Sequence, residues 1–238
     1  MAVSVDTVYQ KVLVLINKEQ RGYLTPQDFN LLADKAQMEI FESYFHSLKD
    51  DYHKLKNNIN FADNAEMDMD NLHSFQVSQT LSVGTNGELN PLPDSYRIKS
   101  IQRVESDGTT EVDAITEKEL LEILNNPLLS PTKKRSVYIR TTSSSGQKIA
   151  KIYPAPTAAT NFIFKYYARP TAPKWAYVVV NEKPLFNGNQ AINFLLNPSE
   201  EEKLVTKILE LTGVIIQKPG LVEVAMTQEA KTKQEQNN

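Results

Sequence analysis

Apolar residues along this chain repeat with two different periods, and the change between them divides the sequence. From Val3 to Arg21 the spacing is helical, with Val5, Val8, Val12, Leu15 and Ile16 on one stripe and Gly22 placed to stop the helix. The next stretch, Thr25 to about Lys56, carries stronger signals. Thr25 is placed to cap the first turn, Pro26 suits the first helical position, and Asp28 puts a carboxylate three residues after the cap. Phe29, Leu32, Ala36, Ile40, Phe41, Tyr44, Phe45, Leu48, Tyr52 and Leu55 then recur at helical spacing, with no Gly or Pro among them. Such a helix is about 48 Å long at 1.5 Å per residue, and packs on more than one neighbour. The link from Gly22 to Leu24 is short, so the two helices are predicted to form an antiparallel or sharply crossed hairpin.

The period then changes. Asn57 to Phe75 is an acidic, polar connection read as an exposed loop. Phe75, Val77, Leu81 and Val83 alternate with polar residues, which predicts a half-buried strand, and Asn86-Gly87 supplies a turn. A second strand follows in LPDSYRIKSIQRVES, with Tyr96, Ile98 and Ile101 directed inward and Asp107-Gly108 as the next turn. Thr116 to Leu124 reads as a short helix capped by Thr116 with Glu119 three residues on, ended by Asn125, Asn126 and Pro127. Val137–Arg140 and Ile149–Tyr153 are predicted to pair as a hairpin. Asn161–Ala168 is a further strand with Phe162, Phe164 and Tyr166 on one face.

Helical spacing returns near the end. Ser199 is the expected cap, Glu202 the far end of a capping box, and Leu204, Val205, Ile208, Leu209 and Leu211 the buried stripe up to Gly213. Pro219-Gly220 opens a last helix through Ala225, and the polar residues after Thr227 are expected to lack order of their own. The fold class is therefore α+β: residues 1–60 form an N-terminal helical hairpin, 61–198 a central antiparallel β region with one helix, and 199–238 the C-terminal helices and tail. The helical parts are expected to make one body.

Composition narrows the chemistry. The 238 residues contain no cysteine, which excludes disulfides and thiolate sites. No stretch reaches the eighteen or so apolar residues of a membrane span, and no signal peptide is visible, so the expectation is a soluble, intracellularly made protein. The net charge of −3 conceals an asymmetry. No Lys or Arg lies between Asn57 and Tyr96, and no Asp or Glu between Ile123 and Asn181. The second stretch carries Lys133, Lys134, Arg135, Arg140, Lys148, Lys151, Lys165, Arg169 and Lys174. This describes either two solvated surfaces or a polarised subunit whose basic part meets an acidic partner, a neighbouring copy or nucleic acid.

Motifs for catalysis are weak. RGYLTPQDF lacks the ligand pattern of a calcium loop, and TTSSSGQK lacks the first glycine and the GK-Ser/Thr of a phosphate loop. His46, Asp50 and His53 line one side of the long helix, read as a solvated face rather than a metal site. His73 stands alone. No triad, paired-carboxylate or dinucleotide pattern emerges, so the chain is expected to be non-enzymatic, without metal or other cofactor. Phe164, Tyr166, Tyr167, Trp175 and Tyr177 lie in the basic part. Base stacking is one reading of them; core packing is the commoner use of strand aromatics.

Three stretches, taken in order, resemble the head-to-tail adaptors of short-tailed phages, the tail tubular protein A or ring proteins. They are LPDSYRIKSIQRV at Leu92–Val104, KIYPAPTAATNFIFKYYARPTAP at Lys151–Pro173, and NPSEEEKLVTKILELTGVIIQKPGLVEVAMTQEAK from Asn197. In tone the chain is most similar to ring proteins of crAss-like phages. The resemblance implies a virion structural protein at the head–tail junction, made in the host cytoplasm. It implies a homo-oligomeric ring, usually of twelve copies, docked beneath the portal, extending the DNA channel and carrying further tail or ring proteins. It implies no membrane partner. Lys133, Lys134, Arg135, Arg140, Lys148 and Lys151 are then the expected residues facing a neighbour or passing DNA. The competing class is a nucleic-acid-binding module using the basic aromatic β region, against which a pI near 5.7 weighs.

Overall fold

The computed structural model describes residues 2–18, 24–54, 69–89, 92–105, 108–142, 146–156, 160–215 and 227. The chain is α+β and divides into two compact units, residues 1–75 with 170–238, and residues 76–169. The region 170–198, read from sequence as part of the β region, therefore belongs to the helical unit. Its backbone polar groups are satisfied there by side chains of the helices.

The helical unit is built on α1 (Val5–Lys18), α2 (Pro26–Lys54) and α4 (Glu201–Ile215). α2 starts as its sequence dictates. The Thr25 hydroxyl donates to Asp28 Oδ2 at 2.5 Å and accepts from the Asp28 N–H at 3.1 Å. Its buried face comprises Phe29, Leu32, Ala33, Ala36, Gln37, Ile40, Phe41 and Tyr44. On α1, Leu15 turns to solvent, and Tyr9 is buried instead, its ring 4.7 Å from Phe29. α1 packs chiefly on α4, which also packs on α2, so the predicted hairpin pair becomes a three-helix arrangement. Residues 19–23 of the link lie outside the described residues. Lys11–Glu201 (2.6 Å) and Lys207–Glu39 (3.3 Å) tie α4 to its two neighbours. The Glu201 carboxylate, hydrogen-bonded to Lys11, holds that ammonium above its usual range.

Two details at the ends differ from expectation. Asn197, not Ser199, caps the C-terminal element, accepting from the Ser199 N–H at 3.3 Å above a 3-10 turn, Pro198–Glu200. Pro198 sits at the first position of that turn, so the cap falls one residue before it. α4 also runs through Gly213 to Ile215 rather than stopping there. Within the predicted acidic loop, residues 69–73 form a helical turn that buries Asn71 and Leu72, with Phe75 packing beyond it. Residues 55–68, the predicted helix from Pro219 and all of the polar tail but Thr227 lie outside the described residues.

Residues 170–197 run as a strap whose partners are amides on the helices. Asn30 clamps Trp175 on both sides: Trp175 N–H donates to Oδ1 at 2.7 Å, and Nδ2 donates to the Trp175 carbonyl at 3.3 Å. Gln37, fully buried, donates to the Thr171 carbonyl and accepts from the Leu195 N–H, both at 3.0 Å. Asn193 Oδ1 accepts from Val5 N–H at 3.1 Å. A buried strap with no sheet neighbour must find such partners, because orphaned peptide groups cost about 1–3 kcal/mol each. Gln37→Ala is accordingly expected to destabilise the protein by about 2–3 kcal/mol in urea unfolding, with Gln37→Glu also destabilising because it removes the donor. A loss under about 0.5 kcal/mol for Gln37→Ala contradicts the clamp.

The second unit is a seven-stranded sheet in the order β1-β7-β3-β4-β5-β6-β2. The strands are β1 (Gln76–Ser82), β2 (Glu88–Leu89), β3 (Arg97–Glu105), β4 (Gly108–Ala114), β5 (Val137–Thr142), β6 (Lys148–Tyr153) and β7 (Asn161–Tyr167). It is mixed rather than antiparallel, because β4 and β5 are parallel, joined by a crossover that contains α3 (Glu117–Leu124). α3 carries the predicted capping box on Thr116, whose hydrogen bonds hold the Glu119 carboxyl below its usual range. The other predicted pairing, β5 with β6, forms antiparallel from Val137↔Tyr153 to Thr142↔Lys148.

This sheet curls. β1 and β2 stand at opposite ends of the strand order, which in a flat sheet places them about 29 Å apart at 4.8 Å per strand. Yet only residues 83–87 connect them, and Gly84 N–H donates to the Glu88 carbonyl at 2.9 Å. The turn also reaches the end of β6: a Cβ on Gly87 (φ +75°) would sit 3.1 Å from the Ile152 carbonyl oxygen and the Ala155 Cα. The result is an open barrel, with β1 and β2 as the unpaired lips of its seam. Its interior holds Val83, Leu89, Ile101, Val112, Tyr138, Ala150, Ile152, Phe162, Phe164 and Tyr166, contributed by or adjoining all seven strands. A bulge between Ile98 and Ser100 explains why Ile98 and Ile101, three residues apart, both point inward. Tyr96 is more than one-third exposed, outside the strand. β1 is an edge and not the half-buried strand predicted: Val77 is 38% exposed. A smaller cluster, Leu120, Val137 and Ile139, packs α3 on the outer face.

Candidate interaction surfaces

The basic residues singled out from sequence fall into three separate settings. Lys133 and Lys134 form the tip of a tight turn closed by Thr132 and Arg135, which exchange backbone hydrogen bonds at 3.1 and 3.2 Å. All three bases are exposed. The turn is anchored from beneath. Ser136 Oγ donates to the Lys133 carbonyl at 3.1 Å and accepts from Arg103 Nη1 at 3.2 Å. Arg103 itself is buried, its Nε 2.8 Å from Glu105 Oε1. A buried guanidinium with a carboxylate partner thus holds an exposed basic tip in place.

Arg140 and Lys148 share a second face. Arg140 pairs with Ala150 and Thr142 with Lys148, so both project with the interior parity of the barrel at its open end. Arg140 Nη2 donates to the Tyr138 hydroxyl at 3.4 Å. Lys151 pairs with Ile139 and therefore lies on the opposite, outer face, beside Tyr153. The six residues do not make one patch, because neighbours of odd spacing on a strand face opposite ways.

The acidic and basic runs also meet inside a single chain. Lys148 Nζ lies 3.9 Å from Asp94 Oδ1, and Glu88 is in register with Lys151. Part of the charge asymmetry is thereby spent within the barrel unit. The unit still carries twelve Lys and Arg against nine Asp and Glu, and the helical unit fourteen against twenty.

Of the aromatics considered for stacking, Phe164 and Tyr166 lie in the barrel core and Trp175 in the helical unit. His46 and His73 are exposed, while the side chains of Asp50 and His53 lie outside the described residues. Among the described residues no group of three or more His, Cys, Asp or Glu is arranged to hold a metal ion. No described helix is long and apolar enough to cross a membrane.

One surface was missed in the sequence. β8 (Tyr177–Val180) and β9 (Lys183–Phe186) form a separate two-stranded ribbon in the helical unit. Its two-residue turn, Asn181 and Glu182, has φ of +51° and +62°, matching the twist of a tight hairpin. Tyr177 and Phe186 stack near Trp175 at 5.8 and 5.7 Å and root the ribbon. Beyond them it is apolar and exposed: Val178 51%, Val179 61% and Leu185 54%. The signal was present, as two apolar runs separated by two residues. Asn-Glu is simply not a dipeptide that announces such a turn. No family model and no curated protein matches this chain.

Proposed function

We propose that this chain is a non-enzymatic structural subunit of a phage virion, a head-to-tail ring adaptor docked beneath the portal. The observation that carries this reading is the order of its three family-like stretches, each of which the fold uses as architecture. Leu92–Val104 leads into and forms most of β3, Lys151–Pro173 spans β6, β7 and the start of the strap, and the stretch from Asn197 begins with α4. In this reading the helical unit, drawn from both ends of the chain, is the ring body and the barrel is its β-rich part. The exposed apolar ribbon suits a protein whose work is surface contact.

The test is quantitative mass spectrometry of purified particles, normalised to the portal, together with DNA binding by the free chain. A ratio near one copy per portal subunit supports the adaptor. Absence from particles removes it. The basic tip at Lys133, Lys134 and Arg135 favours a second reading, a nucleic-acid-binding module. That reading requires salt-dependent binding of short DNA, weakened by replacing all three with Ala. Unchanged binding in the triple variant removes the tip from it.

A further inference from the structure

We infer that the β8–β9 ribbon of one copy adds as strands to the open β1 edge of the barrel in a second copy, making a head-to-tail contact. The inference rests on the reading of the chain as a self-associating subunit and assigns the two surfaces that do it.

The ribbon needs a cover. An isolated two-stranded ribbon is marginal in water, and this one has apolar residues on both faces. Tyr177, Phe186, Val179 and Pro184 share one face and Val178, Leu185 and Val180 the other, by the register Tyr177↔Phe186, Val178↔Leu185, Val179↔Pro184. The first face is covered near its root by Trp175. The second presents Val178, Val180 and Leu185, all at least 45% exposed. Among the described residues both outer edges of the ribbon lack strand partners.

The barrel offers a complementary vacancy. β1 is seven residues long and pairs only with β7, leaving its other edge of peptide groups open at the seam. Val77, Gln79 and Leu81 are opposite Tyr166, Phe164 and Phe162, and so point toward the interior. Yet Val77 and Gln79 are exposed and Leu81 is only half-buried, because β2 is two residues long and does not reach them. A strand laid along β1 supplies hydrogen bonds to this edge, and Val178 or Leu185 supplies the missing cover.

Charge favours a second copy as the occupant. The ribbon belongs to the unit with fourteen bases against twenty acids, the β1 edge to the unit with twelve bases against nine acids. Two different surfaces of opposite net charge on one chain define a heterologous contact, which closes into a ring or extends as a filament.

The experiment is sedimentation velocity of the full chain over a wide concentration range, with two variants. V178S/L185S alters the ribbon and V77K/Q79K the edge, both at exposed positions. Trp175 fluorescence and circular dichroism verify folding, and V178T/L185T replaces the first variant if it fails to fold. Wild type is expected to associate, and each variant to weaken association by at least about tenfold. Mixing the two variants should restore 1:1 dimers only, since each retains the surface the other lost. Monomeric wild type, unaffected variants, or a mixture that stays monomeric each overturn the inference. The particle stoichiometry above is independent of this result, so the adaptor reading and the ribbon–edge contact fail separately.

Discussion

Trp175→Ala is expected to lower the unfolding free energy by about 3–5 kcal/mol, among the largest losses any single truncation causes here. Trp175 is 5% exposed and joins three parts of the helical unit. Its ring lies 4.3 Å from Tyr9 on α1, its backbone is clamped by Asn30 on α2, and its ring supports Tyr177 and Phe186 at the root of the ribbon. Its indole Nε1 donates to Asp6 Oδ1 at 2.9 Å. Truncation opens a cavity among rings that cannot collapse into it, and leaves a buried carboxylate oxygen without its donor. Trp175→Phe keeps most of the packing and loses the hydrogen bond, so about 1–2 kcal/mol is expected. Because the chain has one Trp, the measurement is urea unfolding followed by far-UV circular dichroism. If both variants lose the same amount, the ring packing contributes nothing beyond Asp6, contrary to the geometry.

The same residue marks where the sequence ceases to be informative. The helices were legible because their signals are local: Thr25, Pro26 and Asp28 sit within one turn, and the apolar stripe repeats every three or four residues. The strap around Trp175 has no period, since its hydrogen bonds go to Asn30, Gln37 and Asn193, each more than a hundred residues away or across the unit. Nothing along residues 170–197 advertises those partners. A buried Gln37 in the middle of an apolar helical face was the one available clue, because a buried amide needs partners.

For the strands, the contrast is between local and distant pairing. β5 and β6 were legible as a pair because one loop joins them and their alternation is clean. β1 was legible as a strand, but not as an edge: its partner β7 begins at Asn161, and its other neighbour is missing. Curling is more remote still, being a property of the whole strand order rather than of any strand. The basic residues illustrate the same limit at the surface. Exposure of Lys133, Lys134 and Arg135 followed from their turn, whereas the separation of Lys151 from Arg140 and Lys148 needed the register. Charge runs say which residues are polar, and strand parity decides which of them share a face.

That parity gives the sharpest test of the barrel. Phe164→Ala is expected to cost about 3–5 kcal/mol, while Ile163→Ala, one residue away, is expected to cost about 1 kcal/mol or less. Phe164 is fully buried, opposite Ile101 on β3 and Gln79 on β1, with its ring 5.1 Å from Tyr166. It packs in the cluster that includes Val112, Tyr138 and Ile152, so its removal leaves a cavity lined by several strands at once. Ile163 faces the other way, opposite Gln102 and Thr80, and is only partly buried among polar neighbours. A flat sheet with both faces equally covered predicts similar losses at the two positions. A curled sheet with one interior predicts the asymmetry, because all the large side chains of alternate parity converge on the same enclosed volume. Equal losses in urea unfolding at positions 163 and 164 therefore remove the barrel, and with it the open seam on which the β1 edge depends.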